Sequence, residues 1–132
     1  MPASQGPLHG GELNAAVTSA LVGIHSQYLG RGPGSASTFY QDNVLVSLMY
    51  EVMTPAERTL ASGPRADSVI QMRHHFQEAM QTDYTEAVER LTGKRVTAFI
   101  SGNHLDPDIA AEVFILDSPI AADGSPAGQR GG

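Results

Sequence analysis

The sequence predicts an α+β fold, a two-layer α/β sandwich in which helices cover one face of a four-stranded antiparallel sheet. Two stretches with apolar residues stepping by threes and fours, 12–29 and 64–92, read as helices. Two others, 37–50 and 95–116, are dense in β-branched and aromatic residues and are each split by turn-forming residues, so each reads as a hairpin. The order helix, hairpin, helix, helix, hairpin is most economically satisfied by helices packed on one side of one sheet.

The first helix carries Leu13, Val17, Leu21, Ile24 and Tyr28 on one face and stops at Gly30-Arg31-Gly32-Pro33-Gly34. Glycine accepts the left-handed cap there, and proline forbids continuation. In the first hairpin Asp42-Asn43 supplies the turn, since both residue types tolerate positive φ. Val44, Val46, Leu48 and Tyr50 are expected to face the core. Leu45 and Met49 are apolar too, so the strand reads as buried on both sides. Tyr40 and Asp42 at the hairpin tip read as turn and edge residues.

Thr54-Pro55-Ala56-Glu57 is a helix start: an N-cap threonine, proline in the first helical position and glutamate three residues after the cap. Gly63-Pro64 interrupts that short helix. The long pattern that follows has Val69, Met72, Phe76, Met80, Tyr84, Ala87 and Leu91 on one stripe and ends at Gly93. In the second hairpin, 95–101 and 110–116 are the strands and Gly102 to Asp108 the polar loop. Tyr50, Val46, Phe99 and Val113 are the expected sheet core.

A straight helix from Pro64 to Thr92 would reach roughly 43 Å. A compact domain of this length is only about 36 Å across. Either the helix breaks near Thr82-Asp83, where an N-cap residue stands ready, or the stripe through Met72, Phe76, Met80 and Tyr84 is buried against a second copy. The in-phase continuation through Tyr84 favours the second, and a homodimer is expected.

The 132 residues suit one domain, placed at 12–117. The flanks 1–11 and 118–132 are rich in Pro, Gly, Ser and Ala and bury too little apolar surface to offset chain entropy, so both are expected to be flexible. Without cysteine there is no disulfide, thiolate metal site or cysteine nucleophile. No apolar run is long enough to span a bilayer, and no signal-peptide pattern opens the chain, so a cytoplasmic protein without direct membrane insertion is expected. Eight Lys and Arg against fourteen Asp and Glu, a net charge of −6, argue against nucleic acid as a partner.

Candidate chemistry is sparse. His74 and His75 project about 100° apart on a helix, poor geometry for joint chelation, and His74 with Glu78 offers at most two ligands, so no metal is assigned. His104, Asp106 and Asp108 around Pro107 have the makings of a general base or cation site, but are also the ordinary vocabulary of turns. The glycines of 30–34 follow a helix and lead into a strand, the reverse of a phosphate-cradling loop. No nucleophile motif is present, which points away from an enzyme and from a cofactor. Arg73 lies beside the apolar stripe. If buried, it must be paired, most simply with an internal carboxylate. Arg73, His104 and Asp106 are therefore the candidate anion-site residues of a second reading, a small-ligand (anion or metal) binding domain or minor enzyme.

Together these features resemble the MpsC-like domain family, over about Glu12 to Asp117. The resemblance is carried by the helix exit Gly30-Arg31-Gly32-Pro33, by Asp42-Asn43-Val44-Leu45-Val46-Ser47-Leu48, and by Val52-Met53-Thr54-Pro55-Ala56-Glu57-Arg58-Thr59-Leu60. Arg73 with Phe76, Thr92-Gly93-Lys94-Arg95-Val96 and the closing Glu112 to Asp117 also fit. The chain departs from the family pattern shortly before Thr54-Pro55, where Glu51 or its neighbours replace the usual glycine, which bears on the local turn. The family takes its name from a component of a bacterial sodium-translocating, membrane-potential-generating system. The resemblance thus implies a non-catalytic, soluble accessory or regulatory domain with a membrane-protein partner in such a system; many members are of unknown function.

Overall fold

A computed structural model describes residues 8–121, and the outer parts of both expected flexible flanks, 1–7 and 122–132, lie outside the described residues. The elements are α1 (Gly10–Leu29), β1 (Ser35–Gln41), β2 (Val44–Tyr50), α2 (Pro55–Ala61), α3 (Ala66–Thr92), β3 (Val96–His104) and β4 (Ile109–Leu116). The sheet is antiparallel throughout, in the order β1-β2-β4-β3, so the two hairpins meet through β2 and β4. This is the α+β architecture the helix and hairpin patterns predict.

Local chemistry explains the boundaries. Gly30 closes α1 in the left-handed region at φ 80°, donating its N–H to the Ser26 carbonyl. Gly93 closes α3 in the same way, with φ 71° and a bond to Glu89. Thr54 and Glu57 form a full capping box on α2, each side chain accepting the other's backbone N–H. The N-terminus of α1 has no side-chain cap of its own. The Tyr40 hydroxyl from β1 accepts the Gly10 N–H instead and donates to the Ala121 carbonyl, so Tyr40 ties both ends of the described chain to the sheet. Leu8 packs on the core and Ile120 is buried in it, although both belong to stretches whose composition suggests looseness.

The core lies between the helices and the inward side of the sheet: Leu13, Val17 and Leu21 from α1, Met80, Tyr84 and Val88 from α3, Leu45 and Met49 from β2, Phe114 and Leu116 from β4. Three expectations are corrected here. Leu45, Ser47 and Met49 face the helices, whereas Val44, Val46, Leu48 and Tyr50 point to the opposite side. Of the expected sheet core only Phe99 packs inward; Tyr50, Val46 and Val113 do not. The physical reason is that β2 is apolar on both faces, so its two-residue period does not fix its phase. Second, α3 runs unbroken through Thr82-Asp83, the alternative the in-phase stripe favours, and what differs is how that stripe is covered. Its stripe is covered from within: Val69, Met80 and Tyr84 are buried, Met72 and Phe76 half-buried, with α2 packed against α3. Most of the stripe is therefore covered within the chain, and Met72 and Phe76 keep part of their surface open at an apolar groove shared with Tyr28, Leu29 and Leu60. Third, Gly102-Asn103-His104 continues β3 rather than opening a loop, leaving 105–108 to turn the chain around a cis Asp106–Pro107 bond.

The missing glycine before Thr54 has a clear structural cost. Glu51 adopts φ 57° in the left-handed region, and a Cβ at Gly34 would collide with its carboxylate. A non-glycine residue in that conformation costs about 1–2 kcal/mol, while glycine loses roughly 0.5–1 kcal/mol in chain entropy. Glu51→Gly should therefore raise stability by about 0.5–1 kcal/mol in urea unfolding. A loss instead would mean that contacts of the Glu51 side chain outweigh its backbone strain.

Candidate functional site

Several polar side chains are buried beneath the helices, in two regions. The first surrounds the connector between β2 and α2. Arg73 reaches out of α3 with only 3% of its surface exposed. Its Nη2 donates to the Val52 carbonyl at 2.5 Å and to Glu57 Oε1 at 2.9 Å. Glu57 Oε1 also accepts the Thr54 N–H, so one carboxylate oxygen both caps α2 and pairs with α3. Arg31 donates to the Met53 carbonyl, which leaves the buried connector held by two guanidinium groups.

His25 stands beside them, at the four-residue spacing that continues Leu13, Val17 and Leu21. Its Nδ1 lies 3.2 Å from the Arg31 carbonyl oxygen, and its Nε2 is buried without a partner. Burial, and after it the positive charge of Arg73, hold the ring below its ordinary range. It is therefore kept neutral at neutral pH.

The second region crosses the sheet. Thr18 of α1, Thr38 of β1 and Ser47 of β2 form a hydroxyl chain with 2.7 Å steps. Ser47 is in register with Glu112 of β4, and Glu112 with Ser101 of β3. The Ser101 hydroxyl donates a short hydrogen bond to Glu112. Glu112 is 2% exposed, and burial pushes its carboxyl up to about 7, against the smaller opposing effects of Ser101 and Arg73. Tyr84 from α3 is buried with its hydroxyl unpartnered, and burial followed by the Glu112 charge raises its phenol.

These groups can hold charge and protons inside the domain. Arg73 was legible from its place beside the stripe, as was its need for an internal carboxylate; the partner is Glu57. His25 and Glu112 were missed. The strict four-residue spacing would have found His25, whereas Glu112 needed the phase of the sheet.

The other candidates lie apart. His104 is exposed at the end of β3, its Nδ1 2.9 Å from the Pro107 carbonyl oxygen. Asp106 lines a cavity of about 260 Å³ with Met53, Arg58, Ala61, Ser62 and Leu105, which includes neither Arg73 nor His104. The acid that does structural service in that loop is Asp108, which accepts the Met53 N–H and lies 3.7 Å from Arg58. Arg73, His104 and Asp106 thus share no hydrogen bond and no cavity. His74 lines a groove between α3 and β3, and the exposed His75 lies 3.9 Å from Glu78. No group of three or more metal-ligating side chains is found among the described residues.

Comparison with known proteins decides the family. The family described as "Na+-translocating membrane potential-generating system (MpsC)" matches residues 9–118. The chain belongs to the MpsC family. An uncharacterized protein of Bacillus subtilis (strain 168), YrhF, is 23% identical over 99 residues, covering 74% of this chain and 81% of its own length. No solved structure matches. The buried ionisable groups His25, Glu57, Arg73, Tyr84 and Glu112 all fall inside the matched span, and so do Thr54 and Pro55. No helix among the described residues is long and apolar enough to cross a membrane.

Proposed function

We propose that this MpsC family chain is a non-catalytic, cytoplasmic accessory or regulatory domain of a Na+-translocating, membrane-potential-generating system. Its single working unit in this reading is 12–117, together with Leu8 and Ile120, which pack on the same core. The observation that carries the reading is the family match across 9–118, which links the chain to such a system. The chemistry of the interior supports it: Arg73, Glu57 and Ser101 are bonded to groups of the same chain, the arrangement of a scaffold rather than of a substrate cleft. A protein of this kind acts by contact, so its partner is a membrane protein that translocates the ion. A homodimer belongs to the same proposal. Because most of the α3 stripe is buried within the chain, we place the dimer contact on another surface.

The test is made in membrane vesicles from a bacterium that carries the chain, with Na+-dependent potential followed by a voltage-sensitive dye. Deleting the chain should lower the Na+-dependent part of the potential, and adding the purified protein should restore it. An unchanged potential in the deletion strain overturns the proposal.

A further inference from the structure

The sheet is inverted in its use of charge. Its four strands contain a single Asp, Glu, Lys or Arg, namely Glu112, and that residue points into the core. The outward side therefore carries no acidic or basic residue except His104 at the end of β3, in a chain of net charge −6. Across its middle runs one apolar row in register over all four strands: Phe39, Val46, Val113 and Ile100. The ends of that row are among the most exposed large apolar side chains described, Phe39 at 52% and Ile100 at 60%. Edge strands ordinarily carry charge to discourage association, and contiguous apolar patches of this kind mark interaction surfaces.

We infer that this open sheet face is the interface of a homodimer, two sheets packed face to face with the helices outside. The inference rests on the reading of the chain as an interaction domain and goes past it by naming the surface and its occupant. Charge selects the occupant. Two copies of a strongly acidic chain repel each other over most of their surfaces, and the uncharged sheet face is where they can meet without placing like charges together. A lipid surface is disfavoured by the same absence, since no Lys or Arg is present on the face to meet anionic headgroups. The chain's own flanks are poor covers: residues 1–7 and 122–132 contain one large apolar side chain between them, Met1.

Area agrees. Four strands about 4.8 Å apart, with strands of seven residues at about 3.3 Å each, present a flat face of roughly 440 Å². Two such faces bury about 880 Å² before side-chain relief is counted, and the projection of Phe39 and Ile100 brings the total toward the ~1,200 Å² at which specific interfaces begin. A two-fold axis along the strands, between β2 and β4, sets Phe39 against Ile100 of the second copy and Val46 against its Val113. Such a contact is self-complementary and closed, and it packs two sheets in the aligned manner of a β-sandwich.

Light scattering on the purified full chain at micromolar concentration tests this. The expected mass is twice the 14.0 kDa of one chain. Ile100→Asp and Phe39→Asp should each weaken association more than tenfold and give monomers. Both positions are largely exposed in the single chain, so the variants should unfold with monomer cooperativity, which circular dichroism confirms. A monomeric wild type overturns the inference, and so does a dimer that survives both substitutions. A monomeric wild type whose Ile100→Asp variant no longer restores Na+-dependent potential to vesicles gives the face to another occupant and leaves the accessory function standing. A dimer dispersed by Ile100→Asp, in a strain whose potential does not need the chain, upholds the interface and removes the function.

Discussion

Replacing Arg73 by methionine should cost the domain about 3–5 kcal/mol, the range for removing one member of a buried ion pair. Two acceptors lose their donor at once. The Val52 carbonyl is left without the guanidinium, and Glu57 keeps only the Thr54 N–H on Oε1 while its Oε2 is already buried and unpartnered. Most of the penalty is the uncompensated carboxylate, not lost attraction, and that gives a sharper test. Glu57→Gln added to Arg73→Met removes the stranded charge while keeping an N3 residue able to complete the capping box. The double variant should therefore recover a large part of the loss in urea unfolding at pH 7. Equal losses in the single and double variants would show that the side-chain packing of Arg73, not its charge, is what matters. Against a total stability of about 5–15 kcal/mol, the single variant sits near the edge of folding, so any effect it has on Na+-dependent potential is interpretable only beside the double.

The helices and their ends were legible because each is specified locally. Thr54-Pro55-Ala56-Glu57 contains its own cap, Gly30 and Gly93 supply their own left-handed turns, and Asp42-Asn43 turns the first hairpin. The facing of the sheet was not legible, because nothing local specifies it. Val44, Val46 and Leu48 are as apolar as Leu45 and Met49, and the inward row is marked by Ser47 and Glu112, residues that composition alone would send to water. The same inversion hid the candidate site and the covering of the stripe that was expected to face a second copy. A helix stripe rich in methionine and aromatics reads as an interface until the sheet that covers it is known, while the uncharged outer face appears only when the strand phase is fixed. Arg73 escaped this difficulty because a lone guanidinium beside an apolar stripe demands a partner wherever the sheet lies.

Glu112 should make stability fall as pH rises through neutrality. Its carboxyl is near 7 in the folded chain against an ordinary 4.5, so the fold prefers the protonated form. The contribution is complete below about pH 4.5 and is lost progressively as pH climbs through about 7, where the folded group at last ionises. The difference between those two values corresponds to a differential of order 3 kcal/mol. Glu112→Gln mimics the protonated side chain and still offers an amide oxygen to the Ser101 hydroxyl. It should leave stability at pH 4.5 within about 0.5 kcal/mol of wild type and raise it by about 2–3 kcal/mol at pH 8. The decisive quantity is the difference between the two proteins across pH, because the other carboxylates titrate in both and cancel. The folded value of about 7 already includes the charge of Arg73, which favours the ionised form and opposes the larger effect of burial. Parallel pH profiles would show that the charge on Glu112 is fully compensated inside the fold. Diverging profiles would give this domain a buried group whose ionisation near neutral pH destabilises the fold.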